Sequence, residues 1–199
     1  MQQEQEEQVS VKELVRDERT HKITGTVFVL LAVLLFLSFT SYLFTWKEDQ
    51  DKVLLGASRF LFAEELQVEN LLGRIGAWIA HLFFYQGFGV ASYLLCTFFF
   101  IVGINLLFGK KMFSVARNLK YVLVGLLVLP VFFSFFLESY GFPWGGAMGD
   151  FSSRWLKGFI GTTGTAILLI VALLSYLIWR FNPVFQLPAK KEKPVASSG

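Results

Sequence analysis

The chain has 199 residues, of which 54% are hydrophobic and 17% charged, with eighteen Lys and Arg against fifteen Asp and Glu. A mean hydropathy of +0.55 leaves more apolar surface than one soluble core of this size can hide, which excludes an ordinary water-soluble domain. One Cys, three Met and two His beside 23 Phe leave little ligand chemistry; Cys96 has no partner for an intrachain disulfide and reads as a small apolar filler.

In the first 22 residues, Val9-Ser10-Val11-Lys12-Glu13-Leu14 has the form of a capping box with a hydrophobic staple, so a short helix is expected from Ser10, followed by the solvated charges Arg16, Asp17, Glu18 and Arg19. The first uncharged run extends from Ile23 to Trp46. Crossing about 30 Å of hydrocarbon at about 1.5 Å per residue takes roughly 20 apolar residues, so this run spans. It is too long for the apolar region of a signal peptide and ends in Phe44-Thr45-Trp46 instead of a small-residue cleavage site, which makes it an uncleaved anchor.

The interval from Lys47 to Gln86 carries Glu48, Asp49, Asp51, Glu64, Glu65 and Glu69, read as a solvated rim. Leu71, Leu72, Ile75, Trp78, Ile79 and Leu82 then recur at helical spacing and predict an interfacial amphipathic helix. Trp78 and Tyr85 suit the headgroup layer. His81 lacks a second ligand nearby and reads as an interfacial polar filler, not as a pH switch. The 35 residues from Ile75 to Gly109 carry no formal charge, more than one span needs, and Gln86-Gly87-Phe88-Gly89 offers the break from surface to bilayer. The second span therefore covers about 87–108.

Lys110, Lys111, Arg117 and Lys120 follow as topology anchors. The stretch from Gly103 to Lys111 fails as a phosphate loop: five residues separate its glycines, Lys111 stands where Ser or Thr is needed, and it closes a helix instead of following a strand. The third span, about 120–138, contains Pro130, which removes one backbone hydrogen bond and bends the helix. The fourth, about 158–180, opens with Gly158, Gly161 and Gly164, whose spacing lets another backbone approach, inside the bundle or between subunits. Residues 182–199, with Pro183, Pro188 and Lys190-Lys191-Glu192-Lys193, read as the start of a linker in a longer protein.

Twelve of the eighteen basic residues fall in the N-terminal tail, the interval after the second span and the C-terminal tail, so both termini are expected in the cytoplasm. The fold class expected is an all-α, integral membrane domain of four transmembrane helices with an outer interfacial helix: a tail over 1–22, the membrane domain over 23–181 and the linker. Polar residues within the spans, such as Ser38, Thr40, Ser41, Thr97, Asn105, Ser134 and Ser175, can bond to backbone or to adjacent helices. No span carries a formal charge away from its ends, which argues against a pump or transporter, although a small transport or channel subunit stays as the alternative.

Two groups of segments carry a family resemblance. Leu72-Gly73-Arg74-Ile75-Gly76-Ala77 goes with Gly87-Phe88-Gly89-Val90-Ala91-Ser92. Pro143-Trp144-Gly145-Gly146 goes with Trp155-Leu156 and Gly161-Thr162-Thr163-Gly164-Thr165. In order and spacing, and through Phe181-Asn182-Pro183, the chain resembles the N-terminal four-helix membrane domain of the FtsK/SpoIIIE septal DNA translocases in their Bacteroidetes-type form. The resemblance implies a multi-pass protein of the bacterial inner membrane at the division septum, in contact with the lipid bilayer and other cell-division proteins. A linker and a RecA-like hexameric motor that moves chromosomal DNA with ATP would follow it. ATP and DNA would bind that motor, through which subunits gather, so no catalytic residue, cofactor, metal or direct nucleic-acid site is expected in this chain. Two sites are expected: an outer surface that binds septal partners through Phe60, Phe62, Trp144 and Trp155, and a close helix contact at Gly158, Gly161 and Gly164.

Overall fold

The computed structural model describes residues 18–53, 67–138 and 141–183. The capping box at Ser10, the acids Glu64 and Glu65, Phe60, Phe62 and the linker from residue 184 lie outside the described residues. Those described form helices and turns with no strand among them: α1 (Glu18–Val53), α2 (Gly73–Ala80), a π-helical stretch (His81–Phe88), a 3-10 turn (Gly89–Ser92), α3 (Tyr93–Phe108), α4 (Val115–Phe136) and α5 (Gly146–Phe181). Four helical units are long and apolar enough to cross a membrane: α1, Gly73–Phe108, α4 and α5.

At about 1.5 Å per residue, α1 is about 54 Å long and outreaches the hydrocarbon layer at both ends. Its buried residues, Gly25, Ala32, Leu35, Ser38, Phe39, Tyr42, Asp49 and Val53, form one seam down the helix. The rest of its apolar surface, including Ile23, Leu30 and Phe44, stays exposed, as suits a helix set in lipid. Near its start, a Cβ on Gly25 would lie 2.5 Å from Leu107 N and 2.8 Å from Gly103 O. Backbone meets backbone there because both helices carry a glycine. Further along, Phe39 stands 5.2 Å from Phe84 and 5.8 Å from Tyr93 between ring centroids, an aromatic core joining α1 to the second unit.

That second unit is interrupted where the sequence predicts a break: Gly87 leaves helical geometry (φ −101°, ψ −117°) and Gly89 takes φ 58°. Before the break, α2 buries Gly76, Ala77 and Ala80, and Ser38 Oγ donates to Gly76 O at 2.7 Å. Leu71 and Ile75 face outward, so the stretch is two-sided as its spacing suggests.

Asp49 corrects the reading of a solvated acidic rim. Its carboxylate is fully buried and accepts from the backbone N–H of Glu69 at 2.8 Å and of Asn70 at 3.1 Å. Asn70 Nδ2 in turn donates to Ser38 O at 3.1 Å. A charge one turn beyond Trp46 thus fastens the returning chain to α1 instead of facing water.

The turn after α3 is capped by left-handed Gly109 and held by Asn105, which accepts from Phe113 N at 3.0 Å and donates to Phe113 O at 2.6 Å. Ser114 then caps α4 by accepting from Arg117 N at 3.3 Å. No strand precedes this turn among the described residues, as the rejected phosphate loop would require. The helix α4 runs through Pro130 without interruption.

Helix α5 begins twelve residues before the expected span and breaks at Gly161 (φ 73°, ψ 168°). Its first segment lies along the C-terminal end of α4, with Gly149 against Pro130 O and Lys157 Nζ 2.7 Å from Glu138 Oε2. The second segment returns toward the start of α4, where Tyr176 O–H donates to Tyr121 O at 3.2 Å. Asp150, Arg154 and Lys157 keep the first segment out of the apolar run in sequence, and two of them find partners at the end of α4, Asp150 in Ser134 and Lys157 in Glu138 just beyond the helix.

Candidate functional site

The bundle has two unlike faces. One collects the start of α1, the α3–α4 turn and the end of α5: Glu18 and Lys22 border the same cleft as Leu106 to Gly109, and the Arg180 guanidinium stands 4.7 Å from the Tyr121 ring centroid. Lys110, Lys111, Arg117 and Lys120 are all exposed on this face. Both ends of the described bundle leave from it.

The opposite face is built around glycines. Gly89, at φ 58°, lets the Trp144 carbonyl approach its Cα, and Val90 N–H donates to that carbonyl at 2.9 Å. Gly146, at φ 62°, brings its Cα so close to the preceding turn that a Cβ would lie 2.5 Å from Gly87 O. Gly145 and Gly149 press on Pro130 O. Phe142 wedges between Trp46 (5.6 Å), Phe84 (6.2 Å) and Trp144 (5.0 Å). The segments 87–92 and 143–146, distant in sequence, are therefore two halves of one junction.

Beside the junction lies a cavity of about 400 Å³, walled by Trp46, Tyr85 and Trp144 and by the charged residues Glu138, Asp150, Arg154 and Lys157. Asp150 Oδ1 accepts from Ser134 Oγ at 2.5 Å, and Lys157 is paired with Glu138 while lying 5.8 Å over the Phe135 ring. Two of the lining residues, Trp144 and Ser153, keep a polar atom, Nε1 and Oγ, buried with no hydrogen-bond partner among the described residues.

The structure separates the residues expected to form one outer surface. Trp144 is turned into the junction, whereas Trp155 is 58% exposed and stacks on Phe159 at 5.3 Å. With Phe151, those two occupy positions four residues apart on α5, on a different side from the cavity residues Asp150, Ser153, Arg154 and Lys157. Phe60 and Phe62 lie outside the described residues. Nor do Gly158, Gly161 and Gly164 meet another helix of the chain: nothing stands within 4 Å of a Cβ on the first two, and the third meets only Ile160 of its own helix.

The close contacts that do form use other glycines: Gly25 with Gly103, Gly125 against Leu94 and Tyr176, and Gly145 with Gly149 on Pro130. A four-residue spacing from Gly145 to Gly149 was the available signal, obscured by the charges that follow it. Gly25 and Gly103 are single glycines in apolar runs and give none. Asp49 and Ser153 were likewise missed, since burial of a polar residue beyond a span end depends on tertiary contact. His81 is buried, with Nδ1 3.2 Å from Tyr42 Oη and its ring stacked 4.9 Å from that of Tyr85, a packed polar side chain inside the aromatic core.

Comparison with curated proteins and with solved structures found no match. A protein-family model described as the 4TM region of DNA translocase FtsK/SpoIIIE matches residues 17–187, a stretch that takes in every helix described above and both glycine segments of the junction. The chain therefore belongs to the FtsK/SpoIIIE four-transmembrane family.

Proposed function

We propose that this chain is the membrane anchor and septal interaction domain of a cell-division DNA translocase, with both termini in the cytoplasm of a bacterial inner membrane. The observation that carries the reading is that the start of α1 and the end of α5 leave from one face, the one that bears Lys110, Lys111, Arg117 and Lys120. Basic residues near span ends are retained on the cytoplasmic side, and a motor tethered there by the C-terminal tail gains local concentration for assembly. A small transport or channel subunit fits less well, because the formal charges of the helices fall outside the four uncharged runs. The opposite face, with the junction and exposed Trp155, is the surface offered to septal partners.

Two experiments test this on the full-length protein. With Cys96 replaced by Ala, a cysteine at Arg154 is expected to react with a membrane-impermeant maleimide in intact spheroplasts, and one at Lys111 only after lysis; the reverse pattern refutes the orientation. Replacing residues 18–183 by an unrelated four-span anchor should keep membrane attachment and lose septal localisation. A chimera that still gathers at the septum refutes the interaction role.

A further inference from the structure

We propose that the membrane-facing groove between α1 and α3 holds an acyl chain of an anionic phospholipid whose phosphate is met by Lys110 and Lys111. The groove, of about 450 Å³, has Ala32 and Cys96 buried at its floor, with exposed Phe36, Phe100 and Phe113 around it. Small residues on the floor between large ones at the rim are what make it concave. Thr97 Oγ1, also in the lining, already donates to Leu94 O of its own helix at 2.7 Å. The walls therefore ask no hydrogen bond of an occupant, which suits hydrocarbon.

Position says which part of a lipid lies where. Phe36 is thirteen residues beyond Ile23, about 20 Å into the span at about 1.5 Å per residue, whereas Phe113 closes the groove at the basic end. Thr97, Ile101 and Asn105 share one stripe of α3, and Asn105 grips both backbone groups of Phe113. The turn after α3 is thereby folded back over the end of the groove. Lys111 stands two residues from Phe113, at most about 7 Å of chain, so its ammonium, on a flexible four-carbon stem, reaches the mouth.

Charge selects the headgroup. Lys110 and Lys111 are exposed and form no ion pair among the described residues, while Glu18, across the neighbouring cleft, is taken by Lys22 at 2.7 Å. Basic residues gather on this face for reasons of topology, but topology does not require a hydrogen-bonded turn that holds two of them at the mouth of an apolar groove. Unpaired lysines at headgroup depth favour a lipid of net negative charge over a zwitterionic one. This inference rests on the groove and on membrane insertion, not on the orientation or the septal role, so either can fail alone.

The test is lipid retention by the purified chain in native mass spectrometry, titrated separately with phosphatidylglycerol, phosphatidylcholine and glycerophosphoglycerol, the headgroup without chains. Phosphatidylglycerol should be held roughly tenfold more tightly than phosphatidylcholine, and the chainless headgroup should not bind. Lys110→Gln with Lys111→Gln should erase the preference, whereas Arg117→Gln with Lys120→Gln, which removes the same charge, should leave most of it. Thr97→Phe fills the groove from an exposed position and should weaken the first bound lipid of either kind roughly threefold or more. The lysine pair lies on an exposed turn, so it decides the matter even if Thr97→Phe does not fold. Equal retention of the two lipids, equal losses from the two charge pairs, undiminished retention by Thr97→Phe, or equal binding of the chainless headgroup would each overturn the proposal. It also falls if Thr97→Phe lowers energy transfer between labelled copies while lipid retention is unchanged, since the groove would then seat a second subunit.

Discussion

Replacing Gly89 by Ala strikes the junction where two constraints coincide. The backbone there adopts φ 58°, ψ −139°, a region open almost only to glycine and strained for other residues by about 1–3 kcal/mol. The new Cβ would also collide with the Trp144 carbonyl, the acceptor of Val90 N–H at 2.9 Å. Relieving the collision means moving the 141–146 loop, an overpacking cost of about 1–3 kcal/mol, and losing a hydrogen bond of about 0.5–1.5 kcal/mol. Because the terms overlap, the expected loss is about 3–5 kcal/mol in all. Gly109→Ala is the control: at φ 60° with nothing within 4 Å of a Cβ, it bears only the left-handed penalty of about 1–2 kcal/mol. Denaturant unfolding of both variants in detergent micelles, followed by far-UV circular dichroism, measures the difference. If Gly89→Ala costs no more than Gly109→Ala, the loops are not packed as described and the junction argument fails.

Asp49→Ala strips the acceptor from two backbone amides and should cost about 2–3 kcal/mol; an unchanged thermal midpoint in detergent would show that Asp49 is solvated after all. Gly103→Leu drives a side chain into Val29 and the Gly25 carbonyl, separating α1 from α3, so rapid proteolysis of the variant is expected, and wild-type resistance contradicts the contact. Gly158→Leu meets open space and should fold within about 0.5 kcal/mol of wild type, while lowering energy transfer between labelled copies in vesicles if a second subunit seats there. Unchanged transfer removes the glycine contact between subunits. Trp155→Ala, at an exposed position, should leave stability within about 0.5 kcal/mol and reduce septal localisation of the full-length protein; full localisation counts against that surface.

The spans were legible because crossing a membrane is a demand on length and charge, which the chain meets residue by residue. The break at Gln86–Gly89 was legible for a similar reason: an uncharged run too long for one span has to turn, and glycine marks where. Four of the polar span residues show why local chemistry also reads well. Ser38, Thr40, Thr97 and Ser134 all donate from their hydroxyls, two to carbonyls of their own helix, one to Gly76 O and one to Asp150. What escaped were features that need two distant segments at once. Asp49 looked like any surface acid until Glu69 and Asn70 returned to it. The start of α5 falls outside the expected span because of its charges, whose partners are Ser134 of α4 and Glu138 just beyond it. The glycine pattern at 158–164 was conspicuous by spacing alone, and spacing does not say whether a helix stands opposite.

Lipid explains why glycine so often decides the matter here. Apolar side chains gain nothing by leaving hydrocarbon for one another, so helices in a bilayer associate through close packing and hydrogen bonds. In this chain Gly25 and Gly103 join α1 to α3, while Gly125 receives Tyr176 between α4 and α5. The two pairs are then joined by Gly89 and Gly146 at the loops, together with Ala91 against Val122 and Leu126. Each of the glycines at 89 and 146 has positive φ as well as a carbonyl at its Cα, so a side chain there is refused by conformation and by space together. Motifs made of such positions carry no catalytic group, yet they fix how two helix pairs and the cavity between them are held. The glycine segments through which this chain resembles its family are, on this reasoning, the contacts that assemble its membrane domain.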